Sequence, residues 1–161
     1  MLSTDERQRV IDALDFDPDA GNVVSLVARF RTSAEIHQFV LNYNSNDGLL
    51  PLRAIVEMPA CDLGTALCIY WFLGDFVMDR ESYSDETDPD WDGVGLIEEV
   101  ETRVKNGFYK NQGIRFVPLD YLDWSPTKLK RMKLQYRGEL PFPEMMLQAS
   151  PGEDVPQESL V

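Results

Sequence analysis

The chain has 161 residues, enough to bury one core and too few for two comfortable domains. Hydrophobic residues make up 43% and aromatics 11%, which excludes an intrinsically disordered chain. Twenty-eight acids against fifteen bases leave a net charge of −13; such a field repels phosphate backbones, speaks against direct nucleic-acid binding and speeds encounter with basic partners.

The first residues, MLSTDERQRV, lack a basic region followed by an apolar run, so no export signal is expected. Ser3 with Glu6 forms an S-x-x-E capping box, and Val10, Ile11 and Leu14 then share one helical face. Pro18 and Gly21 punctuate the DFDPDAGN segment and end that helix. Val23, Val24, Leu26, Val27 and Phe30 repeat at helical spacing. Thr32 with Glu35 is a second capping box, and Ile36, Phe39, Val40 and Tyr43 follow at i, i+3, i+4 and i+7.

Asn44–Gly48 reads as a turn, since asparagine and aspartate bond their own backbone and glycine takes a positive φ. Pro51 suits a first helical turn; Leu52, Ile55 and Val56 face inward, and Pro59 stops the helix. Asp62 is a fitting N-cap for the next helix. Its run Ala66–Leu73 (ALCIYWFL) has no polar face, and a helix apolar all round is buried on all sides. Gly74 is its expected stop. The longest uncharged stretch, Leu63–Gly74, is far short of a membrane span. Cys61 and Cys68 are seven apart, roughly 10 Å along a helix and beyond the ~7 Å reach of a disulfide. Two free thiols point to the cytosol.

Asp75–Asp92 breaks the composition, with eight acids (75, 79, 81, 85, 86, 88, 90 and 92) and one base, Arg80; a solvated loop is expected. Leu96, Ile97, Val100 and Val104 mark a helix closed by Gly107. GFYKNQGIRFVP allows an extended stretch at Ile114, Phe116 and Val117. Ser125-Pro126 starts a helix carrying Leu129, Met132 and Tyr136, a short helix fits around Glu144–Gln148, and the polar tail from Ser150 is expected to be disordered. No strand alternation is sustained. The fold expected is all-α: one compact domain over residues 1–149, a bundle of about six to eight short helices around a central buried helix at Ala66–Leu73, with 150–161 as a tail.

Few residues promise chemistry. Asp88, Asp90, Asp92 and Gly93, followed by Glu99, fit the D-x-D-x-D-G-x5-E calcium-loop pattern. Gly95 stands where a branched apolar residue is usual, and the preceding DRESYSDET is too polar for a packed entering helix, so a solvated acidic loop is the stronger expectation; no metal or cofactor is assigned. His37 is the single histidine, too few with two cysteines to build a zinc site unless acids assist, and a structural role is expected. A Cys–His pair with Cys61 or Cys68 is formally available, although thiols in an apolar run are inert. Asn42, Asn44, Asn46 and Asp47 with Asp62 or His37 define a polar site only if they converge; holding the turn and the next helix start is the plainer role. Five bases at 128, 130, 131, 133 and 137 oppose one acid within Ser125–Leu140, a strip suited to pairing with the acidic segment in the same or a neighbouring copy.

NYNSNDGLLPLRAIVEMPACDLGTALCIYWFL resembles the core signature of a bacterial domain of unknown function, number 4274: a YNxxDG turn, a helix, then C-D-x-G-T-A-L leading into an aromatic-rich helix. GFYKNQGIRF also resembles the segment C-terminal to that core, so the likeness covers about residues 33–117. The family carries no assigned activity. Small cytoplasmic proteins of this kind resemble, by analogy, immunity partners of bacterial toxins. With the −13 charge and no recognisable catalytic set, the expectation is a cytoplasmic, non-enzymatic binder of a basic protein surface, most simply a toxin domain, contacting it through Tyr83, Asp85, Glu86, Asp88, Asp90, Trp91 and Asp92. A self-associating adaptor and a small enzyme are the alternatives. The oligomeric state is left open.

Overall fold

The helix without a polar face organises the packing. In the structure, a computed structural model that describes residues 1–17 and 21–160, this helix is α5 (Leu63–Phe72), and every residue from Gly64 to Trp71 is buried. Its sides are covered by α3 (Ser33–Asn42), α8 (Gly93–Lys105), α6 (Gly74–Met78) and α9 (Pro118–Tyr121). Outside this centre, α1 (Thr4–Leu14) lies on α3 and on α2 (Val23–Val27), and α2 lies on α4 (Leu50–Val56). Short α7 (Arg80–Tyr83) packs on α6 and α8, and α10 (Pro126–Gln135) has no buried residue. The protein is all-α: among the described residues there are ten α-helices, six of them seven residues or longer, and no strand. None of these helices is long and apolar enough to cross a membrane.

The helix starts follow local chemistry. Both capping boxes close: Ser3 with Glu6 on α1, Thr32 with Glu35 on α3. Glu35 is wholly buried, and burial works to raise its pKa. Hydrogen bonds from Arg9 and from the Arg31 and Thr32 amides (2.8 and 2.9 Å) outweigh that and hold the carboxyl below its ordinary value. Asp62 caps α5 through the Gly64 amide at 2.8 Å, and its other oxygen accepts from the Gly113 amide at 2.8 Å. A Cβ at Gly64 would stand 2.1 Å from the Ile114 carbonyl oxygen, so only glycine lets this segment close on the helix start.

Several expectations change. The Asp75–Asp92 segment is not all loop, because α6 and α7 occupy part of it and Val77 is buried. Gly74 does not stop the chain's helical course; Leu73 caps α5 and Gly74 opens α6 after it. The break at Pro18 falls outside the described residues. Residues 110–117 form no strand and make only isolated bridges, Asp62 to Asn111 and Ile114 to Glu153. The largest correction concerns the tail. Residues 150–160 run as an ordered strap: the buried Ser150 hydroxyl donates to the Ile114 carbonyl at 2.8 Å, and Leu160 is 6% exposed. The buried Gln38 amide donates to the Pro156 carbonyl and accepts from the Glu158 amide, each at 2.8 Å. The Glu158 carboxylate in turn accepts from the Leu2 amide at 2.8 Å, joining the two ends of the chain. Polarity forecast a free tail, but a buried glutamine can bind an extended backbone as another strand would.

His37 is 3% exposed, and its Nδ1 sits 2.9 Å from the Thr65 hydroxyl. Burial pushes the imidazole down to about 4, against a weaker opposing bond from the Val155 backbone. The unfolded chain, with a histidine near 6.5, therefore binds the proton more tightly than the fold does. Stability is complete above pH 6.5 and falls as pH drops from 6.5 towards 4, by about 3 kcal/mol over that window. Urea unfolding between pH 7 and 4.5 should show this slope, and His37→Gln should flatten it. Further loss below about 4.5 comes from Glu35 and Glu6, whose carboxyls the fold holds below their ordinary value, and should survive that substitution.

Candidate functional site

The two polar turns singled out in the sequence meet in space. On one side the Tyr43 hydroxyl donates to the Gly48 carbonyl at 2.8 Å, and the Asn44 side chain accepts from the Asn46 amide at 3.1 Å. On the other side stands Asp90, some forty residues along the chain, whose carboxylate accepts from the Leu49 and Leu50 amides at 2.8 and 3.1 Å. Helix α4 has no capping side chain of its own, so Asp90 supplies the cap. Gly48 takes φ +107°, and a Cβ there would fall 2.3 Å from the Asp90 carboxylate. The turn thus needs glycine both for its dihedral and for the closeness of the carboxylate.

Arg53 of α4 returns the contact. Its Nε donates to the Pro89 carbonyl at 2.8 Å, and Nη2 donates to the Asp92 carbonyl at 2.7 Å and to the Asp92 carboxylate at 3.1 Å. Nη1 lies 3.9 Å from Glu99. The other Asp92 oxygen caps α8 through the Gly95 amide at 2.8 Å, and Asp88 accepts from the Asp90 amide at 3.0 Å. The oxygens that match a calcium loop in sequence are therefore satisfied by backbone amides and a guanidinium. Among the described residues, no three His, Cys, Asp or Glu side chains gather as a metal site.

The candidate contact residues divide accordingly. Asp90 and Asp92 are half-buried and committed to the chain's own helix starts. Asp85, Glu86 and Asp88 are exposed, as are Tyr83 (42%) and Trp91 (47%). The Tyr83 ring leans on Phe76 with centroids 4.7 Å apart, which fixes its direction. Arg80, the segment's one base, turns inward. Its guanidinium grips both oxygens of Glu101, and Glu101 also accepts from the buried Tyr70 hydroxyl at 2.7 Å. Glu81, Asp85, Glu86 and Asp88 consequently have no cation of the chain beside them among the described residues. The Arg53 and Arg80 contacts escaped sequence reading, although a single base within an acidic run is a signal that it has a particular carboxylate to meet.

The other candidates do not converge. His37 lines one cleft, Asn46 and Asp47 a second beside Asp90 and Trp91, Asp62 a third, and Asn42 a fourth. Burial pushes the Cys61 thiol far up and the Cys68 thiol up to about 12, so both stay protonated and poorly nucleophilic. The basic strip lies on α10, where Lys133 pairs with Glu144 and no ion pair reaches the acidic segment among the described residues.

Removing the shared cap should be costly. Asp90→Ala strands the Leu50 amide, leaves the Leu49 amide on the Asp90 carbonyl alone, and loosens the turn that Arg53 holds, with an expected loss of about 1 kcal/mol in urea unfolding. Gly48→Ala should cost at least as much, and the two losses should be less than additive because both break one contact.

No curated protein and no solved structure matches the chain. The resemblance expected over 33–117 is met by a somewhat shorter match, which leaves GFYKNQGIRF outside it. Residues 31–104 fit the family model of a domain of unknown function, DUF4274, and over that stretch the chain is similar to this family.

Proposed function

We propose that the protein is a non-enzymatic binder of a cationic protein surface, acting as an immunity protein that neutralises a toxin domain by covering it. The observation that carries this reading is the inward turn of Arg80. It removes the one local counter-charge and leaves Glu81, Asp85, Glu86 and Asp88 facing solvent beside the half-exposed rings of Tyr83 and Trp91. Rim carboxylates steer a basic partner and set its salt dependence, while aromatic side chains supply the contact that holds it. The protonated, buried thiols and the four separate clefts support a role without bond-making chemistry. Cytoplasmic residence belongs to the same proposal, since free cysteines suit a reducing compartment.

The test uses a cationic toxin domain as the partner. Replacing Glu81, Asp85, Glu86 and Asp88 by Gln and Asn should slow association by about tenfold at low salt and flatten its salt dependence, with dissociation little changed. Trp91→Ala should instead speed dissociation, at a cost of about 2 kcal/mol. Unchanged association in the neutralised variant would remove this face from the function.

A second reading, self-association, draws support from α10. Lys128, Lys130, Arg131 and Arg137 are exposed around Leu134, which is itself 72% exposed, and they find no acids within the chain's own acidic segment. Sedimentation at rising concentration should then show a larger species that disperses in high salt and is lost in Leu134→Glu. A monomer at every concentration would rule it out.

A further inference from the structure

A cleft of about 540 Å³ lies where α3, α5 and α9 meet the C-terminal strap, within the size range of small-molecule sites. Its buried members are His37 and Cys68, 3% and 1% exposed. His37 is bound to Thr65 and held neutral by burial, so the deep end carries no charge. The outer members are aromatic. Tyr121 stands between Phe72 and Phe116, with ring centroids 5.6 and 5.7 Å away, and Phe72 and Tyr121 remain 39% and 49% exposed. Three rings left partly open to water around one hollow are unusual in a core and suited to a flat apolar guest.

Only two lining residues carry charge, Arg115 and Asp154. They stand 3.9 Å apart, with side chains 51% and 89% exposed. A pair so distant and so wet is weak, and an incoming carboxylate that bonds the guanidinium in two places can displace it. The chain's −13 charge opposes any anion from afar, but salt screens that field beyond about 8 Å while the contact with Arg115 is direct.

We propose that this cleft binds a small aromatic carboxylate, its ring against Phe72, Phe116 and Tyr121 and its carboxylate on Arg115 in place of Asp154. The site shares no residue with the acidic face and stands or falls apart from the partner-binding reading.

The test uses 1-naphthoate and its uncharged twin, 1-naphthamide, titrated into the full chain by calorimetry and by chemical-shift perturbation. The expected result is saturable binding of the acid, with shifts at Phe72, Phe116 and Tyr121, and binding of the amide weaker by about fivefold or more. Arg115→Gln should weaken the acid by about fivefold and leave the amide alone, whereas Asp154→Asn should tighten the acid. Opposite signs from two neighbouring substitutions are a signature that general loosening of the fold does not produce. Leu41→Trp, which fills the cleft from α3, should abolish binding of both compounds. Equal affinity for acid and amide, a common direction for Arg115→Gln and Asp154→Asn, or no saturation at millimolar ligand would each overturn the proposal. The acid–amide comparison needs no variant, so it decides the question even if a substitution unfolds the chain.

Discussion

The demand that α5 be covered on every side governs the rest of the molecule. Burying its apolar atoms is favourable, but the same burial strands three polar groups that must be paired. The Trp71 indole donates to the Met146 carbonyl at 2.9 Å, which fixes the C-terminal segment against the helix. Thr65 meets His37 and thereby ties α5 to α3. The Tyr70 hydroxyl meets Glu101 of α8, and a carboxylate so enclosed needs a cation, which Arg80 provides. One buried hydroxyl thus takes the only base of the acidic segment and leaves that segment's outward carboxylates without a local counter-charge. The surface proposed for partner binding is a consequence of how the core satisfies its polar atoms.

A second constraint joins the Asn44–Gly48 turn to the acidic segment. Helix α4 begins with Leu-Pro-Leu, which offers no side chain to its own free amides. Asp90 fills that need from another part of the chain, and Arg53, one turn further on, secures the loop that carries Asp90. The D-x-D-x-D-G spacing suits this task for the reason it suits cation loops. Closely spaced carboxylates followed by glycine wrap around a positive centre, here a helix start and a guanidinium rather than a metal ion.

What was legible in the sequence was local. Capping boxes, the Asp62 cap, the Asn44–Gly48 turn and the apolar run of α5 each depend on residues within a few positions, so pattern alone places them. The all-α bundle follows from those pieces. What escaped depends on contacts far apart in the chain: Asp90 on α4, Arg80 on Glu101, Gln38 on the strap. The strap is the clearest instance. Composition marks 150–160 as polar and rich in proline, as free tails are, yet its backbone is held by the buried Gln38 amide on α3 and by backbone bonds of Ser150 and Glu153 to residues 113–116. Composition reports what a segment's side chains prefer and is blind to what other residues offer its backbone.

The same distinction changes how the net charge should be understood. A value of −13 suggests a uniformly acidic coat, but the carboxylates fall into two populations. Glu35, Asp62, Asp90, Asp92 and Glu101 face inward, each holding a helix start, a neighbouring segment or a guanidinium, and salt reaches them poorly. Glu81, Asp85, Glu86 and Asp88 face water, where screening is strong and the attraction proposed for a cationic partner weakens as salt rises. Removing a member of the first group acts on the fold, whereas ionic strength acts on the second without disturbing it. A chain built this way can keep its architecture over a wide range of salt while the attraction proposed for a cationic surface rises and falls.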